Sequence, residues 1–224
     1  MNALCYTVSG GGKTVNSTLV KATKRGKNLL LCSDNSQIVL NNFKRENLDI
    51  QIVEHWLSKD KFNKEQNNFL KQFEDAVESK KYDNIICDNI SDIFDLAILE
   101  MDESGRYKDL RQAYQLVYQE LKRLARKAAQ VDCNVIFTAW TDLQEINLLD
   151  GTKTVRTQPK LPNKILDNFL GLMQVVAYIT TADRNGQKAW YYNLEGSPTM
   201  YAKDQIYCRK SCMPEDLFTG GNKQ

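Results

Sequence analysis

Three consecutive glycines followed by Lys-Thr, in Ser9-Gly10-Gly11-Gly12-Lys13-Thr14, come directly after the apolar run Ala3 to Val8. A glycine loop between a strand and a helix lets backbone N–H groups close around an anion, because glycine permits the approach. In that setting Lys13 neutralises the β and γ phosphates of a nucleotide and the Thr14 hydroxyl ligates Mg2+. Ser9, Gly10, Gly11, Gly12, Lys13, Thr14 and Val15 are therefore the expected nucleotide-binding residues, with ATP and Mg2+ as cofactors. Where the usual pattern opens on a glycine this chain has Thr7 and Val8, so the match is incomplete. A Gly-rich turn with a chance Lys-Thr is the competing reading. The strand before it, a helical pattern over Thr14 to Lys24 and an acid downstream favour the phosphate loop.

That acid is Asp88. Asn84-Ile85-Ile86-Cys87-Asp88 reads as a short apolar strand ending in a carboxylate. Such an end lies at the C-terminal edge of a parallel sheet, beside the loop, where Asp88 would hold the magnesium through water.

Four apolar runs, Ala3 to Val8, Leu29 to Cys32, Asn84 to Cys87 and Val135 to Thr138, each suit a buried parallel strand. Helical patterns separate them. Lys61 to Ser79 carries Phe62, Phe69, Phe73, Ala76 and Val77, and a longer stripe runs through Tyr107, Leu110, Tyr114, Val117, Leu121, Leu124 and Ala128. Steps of three and four make that stripe continuous, and its place between strands favours packing on a sheet over a coiled coil. Strands alternating with helices imply an α/β fold. Towards the C-terminus, Leu172 to Thr181 and Lys188 to Leu194 are aromatic and β-branched runs joined by Asp183-Arg184-Asn185-Gly186, which reads as a hairpin added to the sheet. Residues 141–164 show no periodicity and read as a mobile loop, and 172–210 as hairpin and tail, within a single domain over 1–224.

Thirty Lys+Arg against twenty-eight Asp+Glu leave a net charge of +2, so any nucleic-acid contact has to come from a local patch. With 42% apolar residues the chain has material for a core, which excludes a disordered polymer. No apolar run approaches the roughly eighteen residues of a spanning helix, and Met1-Asn2-Ala3-Leu4 does not open a signal peptide. A cytoplasmic protein is expected, in a host cytoplasm if viral. Cys5, Cys32, Cys87 and Cys133 lie in apolar runs and read as reduced core thiols. Cys208 and Cys212 have no second pair, and the sole histidine, His55, is far away, which argues against zinc.

With the loop and Asp88 in place, the chain resembles the RecA-like P-loop ATPases, and within them the small phage RecA-core recombinases of the fourth Sak group. The features that carry this are the early phosphate loop, the strand Leu29-Leu30-Leu31-Cys32-Ser33-Asp34, the strand ending at Asp88, and Ala202-Lys203-Asp204 near the C-terminus. The resemblance implies a RecA-like core with a mostly parallel sheet flanked by helices. It implies Asp34 as the acid that activates the attacking water, and Thr138, in Phe137-Thr138-Ala139-Trp140, as the sensor of the γ phosphate. Lys203 matches a lysine that reaches a neighbouring subunit's nucleotide, with Arg209 and Lys210 in reserve. The segment after the fourth strand, where such proteins hold single-stranded DNA, carries Lys153, Arg156, Lys160 and Lys164 and no acid between Thr152 and Lys164. No aromatic residue lies within it. The resemblance further implies self-association in a ring or filament homo-oligomer, leaves open a single-strand-binding protein as partner, and gives no membrane partner.

The expected function is an ATP-binding and ATP-hydrolysing, DNA-stimulated recombination protein of phage type that binds single-stranded DNA and promotes annealing or strand exchange. A P-loop kinase for a nucleotide or metabolite is one alternative, although Arg106, Arg111, Arg123 and Arg126 follow the striped segment instead of clustering in a lid. A non-hydrolysing nucleotide-binding scaffold of phage replication is the other.

Overall fold

In the computed structural model, which describes residues 1–43, 45–56, 68–105, 109–184 and 186–220, β1 (Asn2–Thr7) is buried along its whole length. An apolar run without polar alternation demands this. The glycine loop and α1 (Lys13–Ser17) follow, then β2 (Asn28–Cys32), a 3-10 turn (Ser36–Asn42) and β3 (Leu48–Ile52). Next come α2 (Phe69–Ser79), β4 (Asn84–Asp88), α3 (Ile90–Glu103) and α4 (Leu110–Gln130). The chain continues through β5 (Asn134–Asn147), β6 (Lys153–Pro159), α5 (Asn163–Leu172), β7 (Val175–Arg184), β8 (Gln187–Asn193), β9 (Lys203–Asp204) and β10 (Ser211–Cys212).

The strand order is β10-β8-β7-β1-β5-β4-β2-β3, with β6 attached to β5 and β9 to β7. β7, β1, β5, β4, β2 and β3 run parallel, and β6, β8, β9 and β10 are antiparallel additions. This is a mixed α/β sheet, mostly parallel and flanked by helices, with the glycine loop directly after β1. Because β5 inserts between β1 and β4, the C-terminal ends of β1, β5, β4 and β2 stand side by side, and ligands of open α/β sheets bind at such ends.

Alternate residues of the strands face two cores. Leu29 and Leu31 join Leu4, Ile85, Val135 and Phe137 under residues of α2 to α5, while Leu30 and Cys32 join Ala3, Cys5, Ile86 and Ile136 under Val20, Leu40, Leu217 and Phe218. Cys5, Cys32 and Cys87 are free and buried as expected, with Cys133 half-buried. Among the described residues no helix is long and apolar enough to cross a membrane.

Several boundaries differ from those read in the sequence. The helix expected over Thr14 to Lys24 ends at Ser17. Thr18 Oγ1 donates to the carbonyls of Thr14 and Val15, both at 2.9 Å, and Ser17 Oγ donates to Thr14 O at 3.3 Å, so hydroxyls compete for the carbonyls a longer helix would use. The expected loop over 141–164 is instead the β5–β6 hairpin, paired from Thr141↔Pro159 to Asn147↔Lys153, followed by the start of α5. It escaped notice because much of the hairpin stands off the core, so neither strand shows clean apolar alternation. Leu172 ends α5 where a strand start was expected, and β3 and α3 carried no recognised signal. In the α4 stripe Val117, Leu121, Leu124 and Ala128 are buried, Leu110 and Tyr114 are exposed, and Tyr107 lies outside the described residues. Lys61 and Phe62 also lie outside them. The β7–β8 hairpin forms as expected, closing at Arg184↔Gln187, although Asn185 of its turn is not described.

Candidate nucleotide site

The loop turns out of β1 with Gly11 N donating to Val8 O at 3.0 Å. Gly10 and Gly12 take φ of 73° and 82°, the left-handed region that side chains avoid. A Cβ on Gly11 would sit 2.5 Å from Thr7 Oγ1. The departure at Thr7 is thus accommodated: its buried side chain fills the inside of the turn, and Gly11 leaves room for it. The Gly12 carbonyl accepts from Asn16 N at 2.9 Å and Asn16 Nδ2 at 2.7 Å. Lys13 and Thr14 are buried at the head of α1, and Val15 is half-buried behind them. With only five residues α1 has a small dipole, so anion affinity rests on the loop N–H groups and Lys13.

Asp88, fully buried at the end of β4, faces the loop. Thr14 Oγ1 donates to Asp88 Oδ2 at 2.5 Å, Ser36 Oγ donates to the same oxygen at 2.8 Å, and Thr138 Oγ1 donates to Oδ1. Burial pushes the Asp88 carboxyl above its ordinary range, and the hydroxyls pull against that shift. Asp34, half-buried just beyond β2, accepts from Ser36 N at 3.1 Å and Asn89 Nδ2 at 2.6 Å. Ligand atoms of Cys32, Asp34 and Asp88 lie within 4.8 Å of one another. The Cys32 thiol is raised above its ordinary pKa by burial and stays protonated. What remains for a cation is hard oxygen, a hydroxyl on Thr14 beside carboxylates, and that donor set fits Mg2+. Thr14, Asp88, Asp34 and Thr138 are thus gathered in one place, with Lys13 next to Thr14 at the head of α1. Thr138, expected to face the γ phosphate, is bound to the Asp88 carboxylate.

The sequence reading missed Asn89, which works at both ends of its amide: Nδ2 holds Asp34, and Oδ1 caps α3 by accepting from Asp92 N at 2.8 Å. An Asn directly after a strand-ending Asp and before an apolar helix was the available signal. Ser91 was also missed. It accepts from Trp140 N at 3.1 Å and donates to Lys160 O at 2.8 Å, tying the hairpin base to α3.

The basic segment does not form the single track expected of it. On β6 Lys153 and Arg156 differ by an odd number of residues and point to opposite faces. Lys153 pairs with Glu145 at 2.7 Å, and Arg156 Nε donates to Pro198 O at 3.4 Å. Lys160 lies 5.0 Å over the Trp140 ring and 3.8 Å from Asp95, and Lys164 is exposed in the first turn of α5. Lys203 pairs with Val176 near the start of β7, far along the strands from its own chain's loop, and its ammonium donates to Gln205 Oε1 at 3.3 Å. Burial lowers its pKa. Arg209, a reserve candidate, is committed to the fold, bonding Asp204 at 2.7 Å and the carbonyls of Asp216, Leu217 and Thr219.

A protein-family profile described as "AAA domain" matches residues 1–206. Among solved structures the chain is similar to the KaiC-like protein PH0186 from the hyperthermophilic archaeon Pyrococcus horikoshii OT3, at 14% identity, covering 85% of this chain and 76% of that one, with a TM-score of 0.46. No curated protein matches.

Proposed function

The chain belongs to this family of AAA domains, with a P-loop ATPase fold, and from that premise we propose that it binds ATP with magnesium, hydrolyses it, and uses the cycle on single-stranded nucleic acid. The observation that carries the hydrolytic part is the contact of Thr14 with Asp88, with Asp34 beside them. Lys13 and the loop N–H groups hold the β and γ phosphates. Thr14 and Asp88 would hold the magnesium, which when bound neutralises charge on the phosphates. Asp34 orients the attacking water and takes its proton, with Asn89 and Ser36 N fixing the carboxylate in place.

Trp140 and Lys160 support the nucleic-acid part. A ring beside a cation, at the hairpin base next to the carboxylates, is the pairing that sequence-tolerant strand binding uses. Lys164 and Arg156 extend that surface. A recombination role of the small phage type rests on the resemblance at Ala202-Lys203-Asp204, with Lys203 acting on a neighbouring subunit's nucleotide. Against the kinase, Arg111 pairs with Asp109 and Arg123 with Glu120 along α4, away from the loop.

ATP hydrolysis by purified protein, with and without single-stranded DNA, tests the whole reading. Magnesium-dependent turnover stimulated by DNA is expected. Turnover without stimulation removes the nucleic-acid part, phosphoryl transfer to a small acceptor favours the kinase, and nucleotide binding without turnover favours the scaffold.

A further inference from the structure

We propose that Trp190, on the C-terminal hairpin, positions the phosphate loop and links the nucleotide site to β7 and β8. The proposal rests on ATP binding at Ser9 to Thr14 and adds a residue from a separate part of the fold.

The sheet register brings Trp190 there. β7 lies beside β1 with Tyr178 opposite Tyr6, and Trp190 of β8 sits opposite Thr181. Thr181 is three residues beyond Tyr178, so the hairpin rises about 10 Å past that point, at roughly 3.3 Å per residue, and reaches the level of the loop. Trp190 shares its strand face with Tyr192, which is fully buried in the core cluster that Trp190 packs against. The indole is thus anchored at its base while its far edge points at the loop.

That edge meets Gly12. A Cβ on Gly12 would lie 3.1 Å from Trp190 Cη2 and 3.2 Å from Cζ2, so the ring leaves no comfortable room for a side chain there. Asn16 crowds the same side, its Nδ2 lying 2.7 Å from that Cβ position, and its N and Nδ2 grip the Gly12 carbonyl. Asn16 is fully buried, and its Oδ1 has no hydrogen-bond partner among the described residues. An amide placed at that cost is fixed in orientation by its grip on Gly12. Gly12 therefore has its carbonyl tied and its Cα walled off, immediately before Lys13 and Thr14. A loop held in its binding shape before the nucleotide arrives loses less freedom on binding, which raises affinity. Because the wall belongs to β8, ordering of the loop by phosphate is felt in the hairpin.

Phe reproduces the inner part of the indole and lacks Cζ2 and Cη2, the two atoms that border the space a Cβ on Gly12 would take. Trp190→Phe should keep the hairpin packed, with a melting temperature close to that of the unmutated protein. Its calorimetric Kd for ATP should rise about tenfold, equivalent to about 1.4 kcal/mol. In the unmutated protein, ATP should slow amide hydrogen exchange in residues 187–193, and in Trp190→Phe this protection should be lost at saturating ATP. The exchange measurement on the unmutated protein needs no variant to fold, and ATP binding without protection of the hairpin overturns the link. An unchanged Kd in folded Trp190→Phe overturns the positioning role. Failure of the unmutated protein to bind ATP strikes instead at the nucleotide site itself and removes the premise.

Discussion

Two aspartates bracket β4 and live in opposite surroundings. Asp83, just before the strand, accepts from the backbone N–H groups of Thr23, Lys24, Arg25 and Gly26 at 2.7–3.1 Å. Asp88, at the other end, is held by hydroxyls of Thr14, Ser36 and Thr138. Burial raises the Asp83 pKa, but four backbone donors outweigh it and the net shift is downward; at Asp88 burial prevails and the shift is upward. Backbone N–H groups point one way and serve a permanent charge. Hydroxyls rotate, and can turn from the carboxylate to a cation or a phosphate. One end of the strand closes a loop onto the sheet, and the other keeps a charge ready for exchange.

The largest effects fall at the C-terminal end. Lys13→Ala should weaken ATP binding by roughly ten- to a hundred-and-fifty-fold, since hydrogen bonds to charged groups contribute about 1.5–3 kcal/mol, with the melting temperature little changed. Calorimetric titration with ATP checks this, and an unaltered affinity would end the phosphate-loop assignment. Asp83→Asn should do the reverse. It leaves donors facing an amide and should cost about 2–3 kcal/mol of stability in denaturant unfolding, with ATP affinity preserved while folded. An unfolding midpoint equal to the parent's would dissolve the distinction between the two ends.

The pH dependence sharpens the contrast. With its folded pKa below the ordinary 3.8, Asp83 contributes stability that is present above that value and is lost as pH falls through the folded value. Acid unfolding of Asp83→Asn should accordingly be shallower than the parent's in that range, and parallel curves would deny Asp83 this role. The smallest effect is on the hairpin. Replacing Lys153, Arg156 and Lys160 with alanine would flatten the salt dependence of single-strand binding by about 2.1 units if all three touched one strand, at roughly 0.7 per contact. Since Lys153 and Arg156 lie on opposite faces, about 1.4 is expected. An unchanged slope would move the strand elsewhere.

What was legible in the sequence follows the same division. A strand-ending acid and a glycine loop place side chains by backbone order alone, so the order of residues sufficed to put Lys13, Thr14 and Asp88 at one sheet edge, while Asp34 was added by the resemblance. The split of Lys153 from Arg156 depends on β6 being a strand, which no apolar alternation announced. Trp140 beneath Lys160 supplies the ring that the segment itself lacks, from twenty residues earlier in the sequence. Asn89 was readable as a helix cap but not as the holder of Asp34, because that contact spans 55 residues. Trp190 reaches Gly12 only through the register of two strand pairs, which local patterns do not record.

Magnesium-dependent ATP turnover, measured side by side for Asp88→Asn, Asp83→Asn and the parent at a temperature where all three are folded, tests the central claim most directly. The account predicts that Asp88→Asn loses turnover while melting at or above the parent's temperature, since a costly buried charge is gone. Asp83→Asn is predicted to melt earlier yet turn over at the parent's rate per folded molecule. Parental turnover by Asp88→Asn at matched magnesium would contradict the claim and leave both aspartates as structural supports of one strand.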